Sequence, residues 1–134
     1  MAVILATDVI GIAKTILPAD TTAKVDLLDN SAGLKTKRVE ALSVVTDDTA
    51  AAVLDLWLLV SGTAYRLGAT SIIALSGTNG TADRINLLTK LGVVESDNIP
   101  VLHVPAGAKL QASVQAAVTA AKTVTITGRA RKYE

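Results

Sequence analysis

Ala52-Val53-Leu54-Asp55-Leu56-Trp57-Leu58-Leu59-Val60 is the stretch whose reading decides the fold. Side chains of an extended chain alternate between two faces. One face here collects Ala52, Leu54, Leu56, Leu58 and Val60; the other carries Val53, Asp55, Trp57 and Leu59 and is apolar except for Asp55. A strand with one solvated face would show polar residues through most of the second set. This one is therefore expected to be covered on both sides, by the rest of the fold or by a partner.

Working outward, residues 39–46 form a β-rich run joined to the central one by the tight connection Asp47-Asp48-Thr49. Ser61-Gly62-Thr63 is a turn, residues 63–67 bring the chain back, and residues 70–75 (TSIIAL) supply a further β-branched run. Upstream, residues 23–28 read as a short strand, with Val25 and Leu27 on one side and Lys24 and Asp26 on the other. Asp29-Asn30-Ser31-Ala32-Gly33 is turn chemistry, followed by the basic cluster Lys35, Lys37 and Arg38. Residues 1–17 alternate loosely and are expected to be an extended arm or an edge strand, broken off by Pro18-Ala19-Asp20.

Downstream, Gly77-Thr78-Asn79-Gly80-Thr81 is a loop. Residues 83–91 carry Ile85, Leu88 and Leu91 at helical spacing, so a short helix is expected there, with Thr81 or Asp83 as N-cap and Gly92 as its stop. Residues 93–98 are polar and loop-like, 99–104 read as a strand, and Pro105-Ala106-Gly107 is a turn. Residues 109–121 admit two readings. Leu110, Val114, Ala117, Val118 and Ala121 share one face of a helix, while Leu110, Ala112 and Val114 alternate with Lys109, Gln111 and Ser113 as a half-buried strand would. Val124 and Ile126 alternate with Thr123, Thr125 and Thr127 in a last strand, which the exposed basic end Arg129, Arg131 and Lys132 finishes. Short strands separated by turn signals indicate an all-β sandwich or barrel.

A length of 134 residues suits one domain, taken as residues 18–134 behind the N-terminal 1–17. Half the residues are apolar, yet the only aromatics are Trp57, Tyr65 and Tyr133. An aliphatic surface of that kind suits thin sheets packed face to face, or a subunit that buries part of itself against copies of itself. Thirteen Lys plus Arg against 12 Asp plus Glu leave a net charge of +1, which gives no reason to expect a nucleic-acid or acidic-membrane partner. The absence of cysteine excludes disulfides, thiolate chemistry and Cys-based zinc sites. The N-terminus has no basic region and is interrupted by Asp8, unlike a signal peptide, and no apolar run reaches the roughly 20 residues of a membrane span. A soluble protein is expected.

Candidate chemistry is sparse. His103, the sole histidine, stands between Leu102 and Val104 without the partners of a triad, which favours a structural role over a general base. Asp47, Asp48 and Asp55 fall far short of a calcium loop, and a solvated turn explains the first two. Residues 77–81 lack the Lys-Ser/Thr pair of a phosphate loop. Arg129, Arg131 and Lys132 have no interleaved aromatics with which to hold a nucleic acid. Trp57 and Tyr65 would suit a glycan-stacking platform, but core or interface anchors are the simpler expectation. No catalytic residue, cofactor site, metal site or small-molecule substrate is expected.

The order of segments carries a resemblance. Residues 39–46 (VEALSVVT), 53–60, Gly62-Thr63-Ala64-Tyr65, Val101-Leu102-His103-Val104-Pro105-Ala106-Gly107 and Val124-Thr125-Ile126-Thr127-Gly128 resemble the small β-sandwich structural proteins of tailed-bacteriophage virions, which include capsid decoration (cement) proteins and neck or tail components. Members of that group commonly show a strand ending in a V-T-N/D turn, a long aliphatic strand, and a late P-A-G turn into a strand. The resemblance covers residues 36–130 and implies strands at 109–115 and 123–128; residues 83–91 depart from it as an insertion at the edge. It implies a non-enzymatic virion protein, assembled in the host cytoplasm, with an antiparallel, jelly-roll-like β-sandwich. Its partners would be copies of itself, a homotrimer among the forms, and the major capsid protein or other virion proteins. A neck or tail component, or a module binding carbohydrate or a host surface through Trp57 and Tyr65, is the alternative.

Overall fold

The computed structural model describes residues 9–78, 80, 82–91, 93–94 and 100–132. In chain order these form β1 (Val9–Ile16), a 3-10 turn (Pro18–Asp20), β2 (Val25–Asp29), β3 (Lys37–Thr46), β4 (Ala52–Val60), β5 (Thr63–Ile72), β6 (Ile85–Asn86), α1 (Leu87–Leu91), β7 (Val93–Val94), β8 (Pro100–Val104), β9 (Ala108–Val114) and β10 (Val124–Lys132). One sheet runs β1-β10-β3-β8-β7, with β6 also on β3, and the other β2-β9-β4-β5. Every pairing is antiparallel. Numbered among the eight longer strands, the first, eighth, third and sixth build one sheet and the second, seventh, fourth and fifth the other. That order is a jelly roll, so the expected sandwich is present in its jelly-roll form.

The sheets meet on their inner faces. Leu54 and Leu56 of β4, with Leu110, Ala112 and Val114 of β9, are fully or almost fully buried. So are Val39, Leu42 and Val44 of β3, Val124, Ile126 and Ala130 of β10, and Leu102 and Val104 of β8. Burying one such aliphatic side chain is worth about 1.5–3 kcal/mol. Leu54 and Leu56 of the β4 ridge thus pack inside their own chain, with Ala52, Leu58 and Val60 partly buried against the same core.

Of residues 109–115, for which the resemblance implies a strand, 109–114 are extended: β9 lies between β2 and β4 and supplies one centre of the sheet. Tertiary pairing overrides the helical propensity of its alanines. The run read as two segments at 63–67 and 70–75 is one strand, β5, which absorbs an extra residue at the irregularity opposite Leu56 and Trp57 and ends at Ile72. Val9–Ile16 pairs along its whole length with β10 and is therefore an edge strand of its own sheet; residues 1–8 lie outside the described residues.

The helix is shorter than its apolar spacing predicts. Ile85 and Asn86 pair with β3 before the helix begins, and the Asn86 Oδ1 accepts the backbone N–H of Leu88 at 3.0 Å and of Thr89 at 3.4 Å. Asn86 is the cap in place of Asp83, because its Asx geometry satisfies amides that the strand leaves unpaired. Thr81 and Gly92 lie outside the described residues. Leu87 and Leu88 are buried, and α1 packs against β3, β5 and β8, closing the side of the sandwich where β5 ends one sheet and β8, followed by the short β7, ends the other.

Candidate interaction surfaces

Trp57 and Tyr65 do not share a platform. Trp57 pairs with Arg66 and Leu58 with Tyr65, so alternation puts the indole on the outer face of its sheet and the phenol on the opposite one. The indole lies across β9, donating from Nε1 to Ser113 Oγ at 2.9 Å. Lys24 Nζ sits 4.3 Å and the Arg66 guanidinium carbon 4.9 Å from its ring centroid. Beside it, Asp55, only 3% exposed, accepts from Gln115 Nε2 and faces Arg66 at 3.6 Å. Gln111 Nε2 reaches Asp26 Oδ1 at 2.7 Å. On the second face of β4 Asp55 is buried while Val53, Trp57 and Leu59 are half-buried, and the indole is flanked by its own chain's cationic side chains in place of an apolar layer.

Asp47 and Asp48 are tie points. The Asp48 carboxylate, in a residue 4% exposed, accepts the backbone N–H of Ala50 and of Thr119, and Asp47 accepts that of Thr123. These bonds fasten the β3–β4 turn to the connection between β9 and β10. The two amides hold the Asp48 pKa below its ordinary value. Asp55 is on another surface, so the three carboxylates do not converge. Among the described residues no three acidic or histidine side chains gather as a metal site. His103 is exposed on the outer face of its sheet, in register with Arg38. In the 77–81 loop, Gly77 packs against Val45 and Arg84 and the Thr78 hydroxyl donates to the Thr46 carbonyl, which anchors the loop to β3; Asn79 and Thr81 lie outside the described residues.

The opposite end of the sandwich gathers the cations. The register Arg38 with Arg131 and Lys37 with Lys132 brings together two basic runs that are far apart in sequence. Glu40 organises the guanidinium groups: Arg131 Nε donates to Oε2 at 2.6 Å, Arg38 to Oε1 at 2.8 Å, and Arg129 approaches Oε2 at 3.8 Å. Burial pushes the Glu40 carboxyl up, but the bonds from Arg38 and Arg131 outweigh it and hold its pKa below the ordinary value.

Beside this cluster the loop of residues 30–36 frames a surface cavity of about 580 Å3, lined in part by Asn30, Leu34, Lys35, Lys37 and Lys132. Asn30, 1% exposed, fixes the loop: its Nδ2 lies 3.0 Å from the carbonyl oxygens of Lys35, Val104 and Pro105. Its backbone carbonyl accepts from Gly33 and Gly107. Gly33 is required, since a Cβ there would stand 1.9 Å from Asn30 Oδ1. Leu34 projects from the loop 95% exposed.

Sequence reading placed Arg129, Arg131 and Lys132 at an exposed end and Lys35, Lys37 and Arg38 in a separate cluster. Only the pairing of β3 with β10 joins them, and only alternation around Glu40 hints at an acidic centre. No protein-family model matches this chain, and no curated protein matches it.

Proposed function

We propose that this chain is a non-enzymatic virion structural protein of a tailed bacteriophage, a homo-oligomeric capsid decoration protein that binds the capsid and stabilises it. One observation carries this reading. Every segment behind the resemblance falls on a strand or a strand-connecting turn of one jelly roll: 39–46 on β3, 53–60 on β4, 105–107 between β8 and β9, and 124–128 on β10. Jelly rolls recur in viral capsid and lectin domains, and the shared fold raises the prior without assigning the role.

The β4 ridge is internal, so assembly would use other surfaces. Val9, Leu17, Leu34, Tyr65, Leu67 and Ile73 are the exposed large apolar side chains among the described residues. Contacts through them would be modest individually and effective in a repeated array. The chemistry is mechanical: apolar and charged surface is withdrawn from water at each subunit contact.

Electron microscopy of purified particles, with this chain labelled, tests the proposal. Copies repeated over the capsid surface are expected. Label confined to one vertex or to the tail would shift the assignment to a neck or tail component, and its absence from particles would overturn the virion role.

A further inference from the structure

We propose that the basic end of the sandwich, around the cavity beside Leu34, is a docking site for an acidic protein segment carrying an apolar side chain. The inference does not depend on whether the chain is a virion component. Lys35, Lys37 and Lys132 line one cavity, and among the described residues no carboxylate lies within ion-pair distance of any of them. The neighbouring arginines, by contrast, are already gathered around Glu40. Asp29 lines the same cavity, but its carboxylate faces Lys109 at 3.7 Å and Lys37 Nζ reaches its backbone carbonyl at 3.5 Å, so the three lysines still leave a net positive charge for an incoming partner.

Charge alone would suit any polyanion; Leu34 narrows the choice. It is the most exposed large apolar side chain described, at 95%, and it stands at the rim of the same cavity. A phosphate backbone gains nothing from covering a leucine, whereas a protein segment with an apolar side chain buries both. The loop is also held in advance. Three carbonyls bonded by the Asn30 amide, together with the tight approach of Gly33, fix residues 30–36, so little loop entropy is lost on docking. An apolar anchor within a polar rim is the usual anatomy of a protein contact, and three lysines stand in this one.

The test is an NMR titration of the full chain with a short acidic peptide containing one leucine. Controls are the same peptide with serine for leucine, and oligothymidylate. The leucine peptide is expected to move resonances of residues 31–37 and 132, and Leu34→Ser, or serine in the peptide, should weaken binding about tenfold. Lys35→Glu with Lys132→Glu should abolish it. All three substituted residues are exposed, so the fold is retained. The proposal is overturned if the leucine peptide leaves these resonances unmoved or binds the Leu34→Ser variant equally well. It is overturned too if oligothymidylate binds the same residues as tightly, or if they shift with protein concentration alone and Leu34→Ser abolishes that shift, which would make the occupant a second copy.

Discussion

At the scale of single residues, polar side chains hold what the aliphatic core does not. Asn30 is the clearest case, because its amide ties together the carbonyls of Lys35, Val104 and Pro105, the last shared with the backbone N–H of Ala108. Asn30→Ala is expected to cost about 2–4 kcal/mol in urea denaturation, from lost bonds and from carbonyls left unsatisfied. Asn30→Asp should be no better at neutral pH, since a carboxylate would face those oxygens without a donor. Equal stability of Asn30→Asp and wild type would refute the assignment. Asp48 and Glu40 make a pH prediction. Both folded pKa values lie below their ordinary ones, so their contribution is complete above the unfolded values, about 4, and is lost as pH falls through the folded ones. Stability should therefore hold down to about pH 5 and fall below about pH 4, with a shallower acid limb in Asp48→Asn with Glu40→Gln. An unchanged limb, followed by circular dichroism, would contradict it. Neither role is legible in the sequence. An aspartate in a turn looks solvated until the amides of Thr119 and Thr123 are folded over it.

At the scale of elements, the strands that alternate cleanly are legible and the irregular ones are not. Although residues 109–121 also read as a helix face until β9 pairs with β2 and β4, the outlines of β3, β4 and β10 follow from Val, Leu, Ile and Thr spaced by two. The continuity of β5 does not, because one extra residue near Leu67 shifts the alternation midway. The start of α1 is likewise hidden, since Asn86 serves as both a strand end and a helix cap. Two substitutions test these packings. A Cβ on Gly128 would stand 2.1 Å from the Ala41 carbonyl oxygen in the neighbouring strand, so Gly128→Ala should cost about 2–3 kcal/mol by forcing β10 from β3. A neutral effect in thermal denaturation would mean that the strands are not in this register there. Leu88→Ala should cost about 2–5 kcal/mol if α1 is a true part of the core, and under 1 kcal/mol if it only lies on the surface.

At the scale of the whole molecule, composition indicated a surplus of aliphatic surface, and the structure shows where most of it goes. Leu54 and Leu56 vanish between the chain's own sheets, and on the outer face of β4 Trp57 lies under two cations. Neither fact is visible in one strand, because both depend on which strands lie opposite and beside it. The basic end is a property of the same kind, created when β3 and β10 align runs separated by most of the chain. A net charge of +1 hides this segregation completely. The central claim is that one chain closes its own core and that association, where it occurs, uses the surfaces left outside. Amide hydrogen exchange at a series of protein concentrations tests it most directly. The account predicts slow exchange across β3, β4, β9 and β10 that is unchanged on dilution; protection of β4 that disappears on dilution would show that a second subunit covers the ridge, and would contradict it.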